Sequence, residues 1–119
     1  LNIYIISPVR NITKKEENYI KNYVEHLEKL GNKVYFPLRD TDQNDPIGFK
    51  ICQQNMKAIE VCDRVDVFWN DKSRGSLFDL GIAFVFKKPI KIINTENIRK
   101  TPYKSFINVL LKIQKDGYD

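Results

Sequence analysis

The chain has 119 residues, of which 42% are hydrophobic and 29% charged; that is enough for one globular domain with its own core and too few for two. No apolar run approaches the roughly 18 residues of a spanning helix, and the first residues carry neither a basic leader nor a small-residue cleavage site, so no membrane partner and a cytoplasmic setting are expected. The net charge of +5 sits entirely in the last third: residues 1–86 carry 12 Lys+Arg and 12 Asp+Glu, residues 87–119 carry 8 and 3, without the interleaved aromatics of a nucleic-acid stacking platform.

Residues 2–7 (NIYIIS) form an apolar, β-branched run that ends before Pro8, the pattern of a strand buried on both faces. Thr13 and Glu16 then have the spacing of a capping box. The helix they open carries Ile20, Val24, Leu27 and Leu30 as its apolar stripe and stops at Gly31. Residues 33–37 (KVYFP) predict a second strand, and 38–45 a polar turn. Asp45-Pro46 has the form of an N-cap followed by proline at the first helical position, with Ile47, Ile51, Ile59 and Cys62 on one face of the helix that follows. A third strand is expected over 65–69, a polar loop over 71–75, and a helix over 76–86 with Leu77, Leu80, Phe84 and Val85 inward. Residues 89–94 (PIKIIN) give a fourth strand, and Thr101-Pro102 caps a last helix that turns Phe106, Val109, Leu110 and Ile113 to the core.

This strict alternation of strand and helix predicts an α/β fold: a single-domain, doubly wound parallel sheet of the flavodoxin or Rossmann kind, with four to five strands and helices on both faces. The simplest order is 2-1-3-4, with a switch point between the first and third strands. Ligands of such sheets bind beyond the carboxyl ends of the strands, where this chain places its polar loops 7–11, 39–45 and 70–76.

Several chemistries lack their residues. There is no G-x-G-x-x-G, no Walker A loop and no G-x-S-x-G elbow. Cys52 and Cys62, ten residues apart in one expected helix, are separated by about 15 Å along its axis, and the single histidine, His26, lies among surface charges. No metal and no cofactor are therefore expected.

The sharpest local feature is residues 73–81 (SRGSLFDLG), between a strand and its helix. Gly75 permits close backbone approach, and the free amides of a helix start, with Ser73 and Ser76, can cradle an anion or sugar hydroxyls. Asp79 is expected in the first turn, where the helix dipole would hold it ionised.

Together, Ile3-Tyr4-Ile5, Phe36-Pro37-Leu38, residues 55–63 (NMKAIEVCD) and residues 75–83 (GSLFDLGIA) followed by Lys88-Pro89-Ile90 resemble the nucleoside 2-deoxyribosyltransferase family over roughly residues 3–94. The resemblance implies that Asp79, at a position that is usually glutamate, is the nucleophile attacking the anomeric carbon of a nucleoside, with Tyr4 beside it. It sets Asn55 where many members have an aspartate that handles the leaving base, and Ser73 where an aspartate often binds a sugar hydroxyl. Ser7, Arg10 and Ser76 would hold the phosphate of a nucleoside 5′-monophosphate. Aspartate is one methylene shorter than glutamate, and Asn55 has no acid proton to give.

The leading expectation is thus N-glycosidic bond cleavage or transfer, as a deoxyribosyltransferase or a nucleoside 5′-monophosphate hydrolase, with a small-molecule nucleoside or nucleotide as partner and no nucleic acid. A non-catalytic nucleotide-binding module on the same fold is the alternative, and an interaction protein using the basic last third is a third. The resemblance also implies that copies of the chain can form a homo-oligomer and complete each other's pockets, with residues 114–119 as a candidate contribution.

Overall fold

A computed structural model describes residues 1–96 and 98–119. Four strands, β1 (Asn2–Ile6), β2 (Lys33–Tyr35), β3 (Arg64–Val67) and β4 (Ile90–Ile92), form one sheet in the order β2-β1-β3-β4. Every pairing is parallel, with Tyr4 opposite Tyr35 on one side and Val65 on the other. This is the doubly wound α/β order expected from the sequence, with the switch point between β1 and β3.

The period of two along each strand divides the core. Ile3 and Ile5 join Ile20, Val24 and Leu27 of helix α1 (Lys14–Lys29) on one face. Tyr4, Ile6, Val65 and Val67 pack on the other face against α3 (Phe49–Val61), α4 (Arg74–Val85) and α5 (Phe106–Asp116). Both faces of β1 are covered, which accounts for its near-continuous apolar sequence. No helix among the described residues is long and apolar enough to cross a membrane.

The Thr13 capping box forms as expected: the Glu16 amide donates to Thr13 Oγ1 at 3.0 Å and the Thr13 amide to Glu16 Oε1 at 3.1 Å. Gly31 leaves the helix with φ +94°, a left-handed conformation open to glycine without strain. Leu30, however, is exposed at the C-cap, because the burying stripe ends one turn earlier.

Other boundaries differ. Pro37, expected to end the second strand, instead opens a one-turn helix, α2 (Pro37–Asp40), where its fixed φ suits a first turn. Asp45 does not cap α3 directly: the helix begins at Phe49 after Gly48, whose φ of +87° breaks the helical path, and Ile47 points to solvent. Even so, the Asp45 carboxylate accepts the amides of Lys50 at 2.8 Å and Ile51 at 3.2 Å, capping from outside. Cys62 is the residue after α3, not within it.

Helix α4 turns Ser76, Leu80 and Ala83 inward and leaves Phe84 and Val85 exposed, Val85 at 74%. The small side chains at 76 and 83 let the helix approach the sheet closely, so the stripe follows size as well as hydrophobicity. Helix α5 starts after Ser105, whose hydroxyl accepts the Asn108 amide at 3.3 Å, four residues later than Thr101-Pro102 suggests. That start buries Ile107, Leu110 and Ile113 and leaves Phe106 (65%) and Val109 exposed.

Candidate active site

Tyr4 lies in the middle of β1, its ring fully buried and stacked on Tyr35 of β2 at 5.6 Å with the planes 8° apart. That packing leaves its hydroxyl one direction, and it donates to Asp79 Oδ2 at 2.9 Å. Burial, followed by the neighbouring Asp79 charge, pushes the Tyr4 pKa far up, so the phenol keeps its proton as a fixed donor.

Asp79 departs from expectation in an informative way. Because Ser73 caps α4 and the helix begins at Arg74, Asp79 is in the second turn and not the first. The dipole acts mainly over the first turn, so it does not dominate here. Burial instead raises the Asp79 pKa from 3.8 to about 6, against the opposing hydrogen bond from Tyr4. A carboxylate so placed is mostly ionised at pH 7 yet poorly solvated, the condition in which it is a stronger nucleophile.

Ser73 and Ser76 form the entrance of α4. The Ser73 hydroxyl accepts the Ser76 amide at 3.2 Å and donates to Ser76 Oγ at 2.8 Å. Ser76 is buried, and Gly75 between them is exposed, with nothing within 4 Å of where a Cβ would stand. Ser7 and the exposed Arg10 follow β1 at the same end of the parallel sheet. The structure joins Tyr4 to Asp79 and Ser73 to Ser76, but it gives neither Ser7 nor Arg10 a hydrogen bond to these four among the described residues.

Asn55 lies on α3, which packs beside α4 and β1, and only 7% of it is exposed. Its Oδ1 accepts the Thr41 hydroxyl at 2.7 Å, and Thr41 Oγ1 lies 2.7 Å from the Tyr35 hydroxyl. Cys52, three residues earlier on α3, is near enough for the Asp79 charge, after burial, to raise its thiol pKa. One connected set therefore runs from Asp79 through Tyr4 and its stacked partner Tyr35 to Thr41 and Asn55. Sequence reading missed Tyr35 and Thr41; the register that sets Tyr4 opposite Tyr35 was the available signal for the first, and nothing local marks the second.

A second polar group lies on the opposite face of the sheet. Asp66 of β3 is fully buried and takes Arg64 Nε at 2.6 Å, Arg64 Nη2 at 2.9 Å and the Tyr23 hydroxyl at 2.6 Å. Facing α1, it belongs to the scaffold. A cavity of about 850 Å³ opens beyond β3 and β4, lined by Trp69, Lys72, Asn94, Arg99 and Lys104 among others; it shares Leu77 with α4 but is not lined by Asp79 or Tyr4. Among the described residues, no three His, Cys, Asp or Glu gather closely enough to hold a metal ion.

Against known structures, the chain is similar to a 2-deoxyribosyltransferase from Bacillus psychrosaccharolyticus, with a TM-score of 0.69 and 15% identity over 92% of this chain and 90% of that one. It is similar also to a CMP N-glycosidase from Clostridium botulinum, with a TM-score of 0.68 and 20% identity over 95% and 82%. A 2-deoxyribosyltransferase from Leishmania mexicana matches at a TM-score of 0.59 and 21% identity over 77% and 63%. The chain has the 2-deoxyribosyltransferase fold. No protein-family profile and no curated protein sequence matches it. At these identities the likeness is one of architecture, and what the chain does with that architecture rests on its own residues.

Proposed function

We propose that the chain cleaves or transfers the N-glycosidic bond of a nucleoside or nucleotide, with Asp79 as the attacking carboxylate. The observation that carries this reading is the 2.9 Å hydrogen bond from Tyr4 to Asp79, which ties a poorly solvated carboxylate in the second turn of α4 to the middle of β1, one of the two strands that flank the switch point. In the reaction, Asp79 forms a bond to C1′ as the bond from C1′ to the base breaks, and the electron pair leaves with the base. Water or a second base then displaces Asp79 from the sugar, as in a retaining glycosidase. Tyr4 holds the carboxylate in line. Ser73 and Gly75 supply a hydroxyl and backbone at the sugar, Asn55 meets the base, and Ser7, Arg10 and Ser76 serve a 5′-phosphate when one is present.

Copies of the chain associate in this reading, because Phe49 and Met56 of α3 and Phe78 of α4 leave apolar side chains exposed on two adjoining helices. Two free thiols, Cys52 and Cys62, suit a reducing cytoplasmic setting.

The test is incubation with nucleosides and their 5′-monophosphates, with and without an acceptor base, followed by chromatography of the released or exchanged base. Base release that disappears in a folded Asp79→Asn variant supports the reading. Thermal stabilisation by a nucleotide whose base stays attached throughout would instead make the chain a binding module.

A further inference from the structure

The hydrogen bonds around Asn55 have a direction. Thr41 has one hydroxyl proton and gives it to Asn55 Oδ1, so the contact with Tyr35 is made by the Tyr35 hydroxyl donating to Thr41 Oγ1. A phenol is a better donor than acceptor, and Tyr35 has no other hydrogen-bond partner for its proton among the described residues, so this ordering satisfies all three groups. The Asn55 amide is therefore oriented: its oxygen faces Thr41 and its Nδ2 protons face away. Among the described residues Nδ2 has no hydrogen-bond partner, and none of their buried side-chain polar atoms lacks one. That nitrogen is thus within the small exposed fraction of Asn55, a residue three positions along α3 from Cys52, whose thiol feels the Asp79 charge.

An amide in this position can stabilise a departing base only by donating a hydrogen bond, since it has no acidic proton to transfer. A purine leaves well once a ring nitrogen is protonated. A pyrimidine has a carbonyl beside the glycosidic nitrogen, onto which the electron pair of the broken bond can spread. We propose that Thr41, supported by Tyr35, is a positioning residue that holds the N–H edge of Asn55 toward the base and thereby makes pyrimidine nucleosides or nucleotides the substrate class. This rests on the glycosidic reading above. As C1′ moves to Asp79, the pair left on N1 delocalises onto the 2-carbonyl oxygen, which accepts the Asn55 proton as a hydrogen bond, and the free base later takes a proton from water. The interaction strengthens as charge develops, so it acts on kcat more than on KM.

The experiment measures kcat and KM for uridine, cytidine, adenosine and guanosine, their 2′-deoxy counterparts and the 5′-monophosphates of both, with and without an acceptor base, in the wild type and in Thr41→Val, Thr41→Ser, Tyr35→Phe and Asp79→Asn. The wild type should favour pyrimidines by about tenfold or more. Thr41→Val should lower kcat on pyrimidines by about tenfold, the effect of one oriented hydrogen bond, with little change in KM and a reduced pyrimidine preference. Thr41→Ser, which restores the hydroxyl, should recover most of it. Tyr35→Phe keeps the stack on Tyr4 and should move the same way by less; it decides the matter if Thr41→Val does not fold. If bases are released in an Asp79-dependent manner but purines are preferred, or the preference is unchanged in Thr41→Val and Tyr35→Phe, this proposal fails and the glycosidic reading stands. If the wild type releases no base at all, both fail.

Discussion

Replacing Asp79 by asparagine should make the protein more stable at neutral pH while removing its proposed activity. Burial raises the carboxyl from 3.8 to about 6, so the folded chain binds that proton more tightly than the unfolded chain does. Below about pH 4 both states are protonated and Asp79 has no pH-dependent effect. Between about 4 and 6 the unfolded state ionises first and stability declines, and above about 6 the loss is complete. The gap corresponds to about 3 kcal/mol at 1.36 kcal/mol per tenfold. Asparagine keeps an oxygen to accept the Tyr4 hydrogen bond and carries no charge, although its buried amide protons offset part of the gain. An increase of about 1–3 kcal/mol at pH 7 is expected, shrinking toward zero by pH 4. Urea denaturation of both proteins at intervals from pH 4 to 8 measures this difference directly. A variant no more stable than the wild type at pH 7, or a gain that persists unchanged at pH 4, would refute the argument that Asp79 is held ionised at the expense of stability.

Base release should show an acidic limb in kcat/KM near pH 6, where Asp79 takes up its proton. Tyr4→Phe removes the one hydrogen bond that lowers the Asp79 pKa, so that limb should move to higher pH and the rate above it should fall by about tenfold to a hundredfold; an unmoved limb in a pH–rate profile argues against the contact. On the other face of the sheet, Arg64→Ala leaves the fully buried Asp66 with Tyr23 as its one side-chain partner among the described residues and should cost about 3 kcal/mol in chemical denaturation. A loss below about 1 kcal/mol would mean that Arg64 contributes little to holding that charge.

How far a residue could be read from the sequence depended on how local its constraint is. Thr13 and Glu16 lie three apart and satisfy each other within one turn, so their roles were visible in the string. The strand order followed from the alternation of elements and the rules for parallel crossovers. Helix faces were less legible: at 76 and 83 a serine and an alanine face the sheet while Phe84 and Val85 do not, because the closeness of helix to sheet, and not apolarity alone, selects the inward residue. The sequence marks Asp45 as a cap but not its reach across Gly48 to Lys50 and Ile51, since a left-handed glycine alters the path by an amount that residue types do not encode.

The sequence by itself determined the parallel sheet and its order, because hydrophobic period, capping and crossover geometry are properties of neighbouring residues. It also marked Tyr4, Asn55 and Asp79, through a resemblance carried by short motifs. Only the tertiary structure decided what state Asp79 is in and which way Asn55 faces. Those depend on desolvation and on proton donors, Tyr4 and Thr41, that are distant along the chain and adjacent only once β1, β2, α3 and α4 have packed.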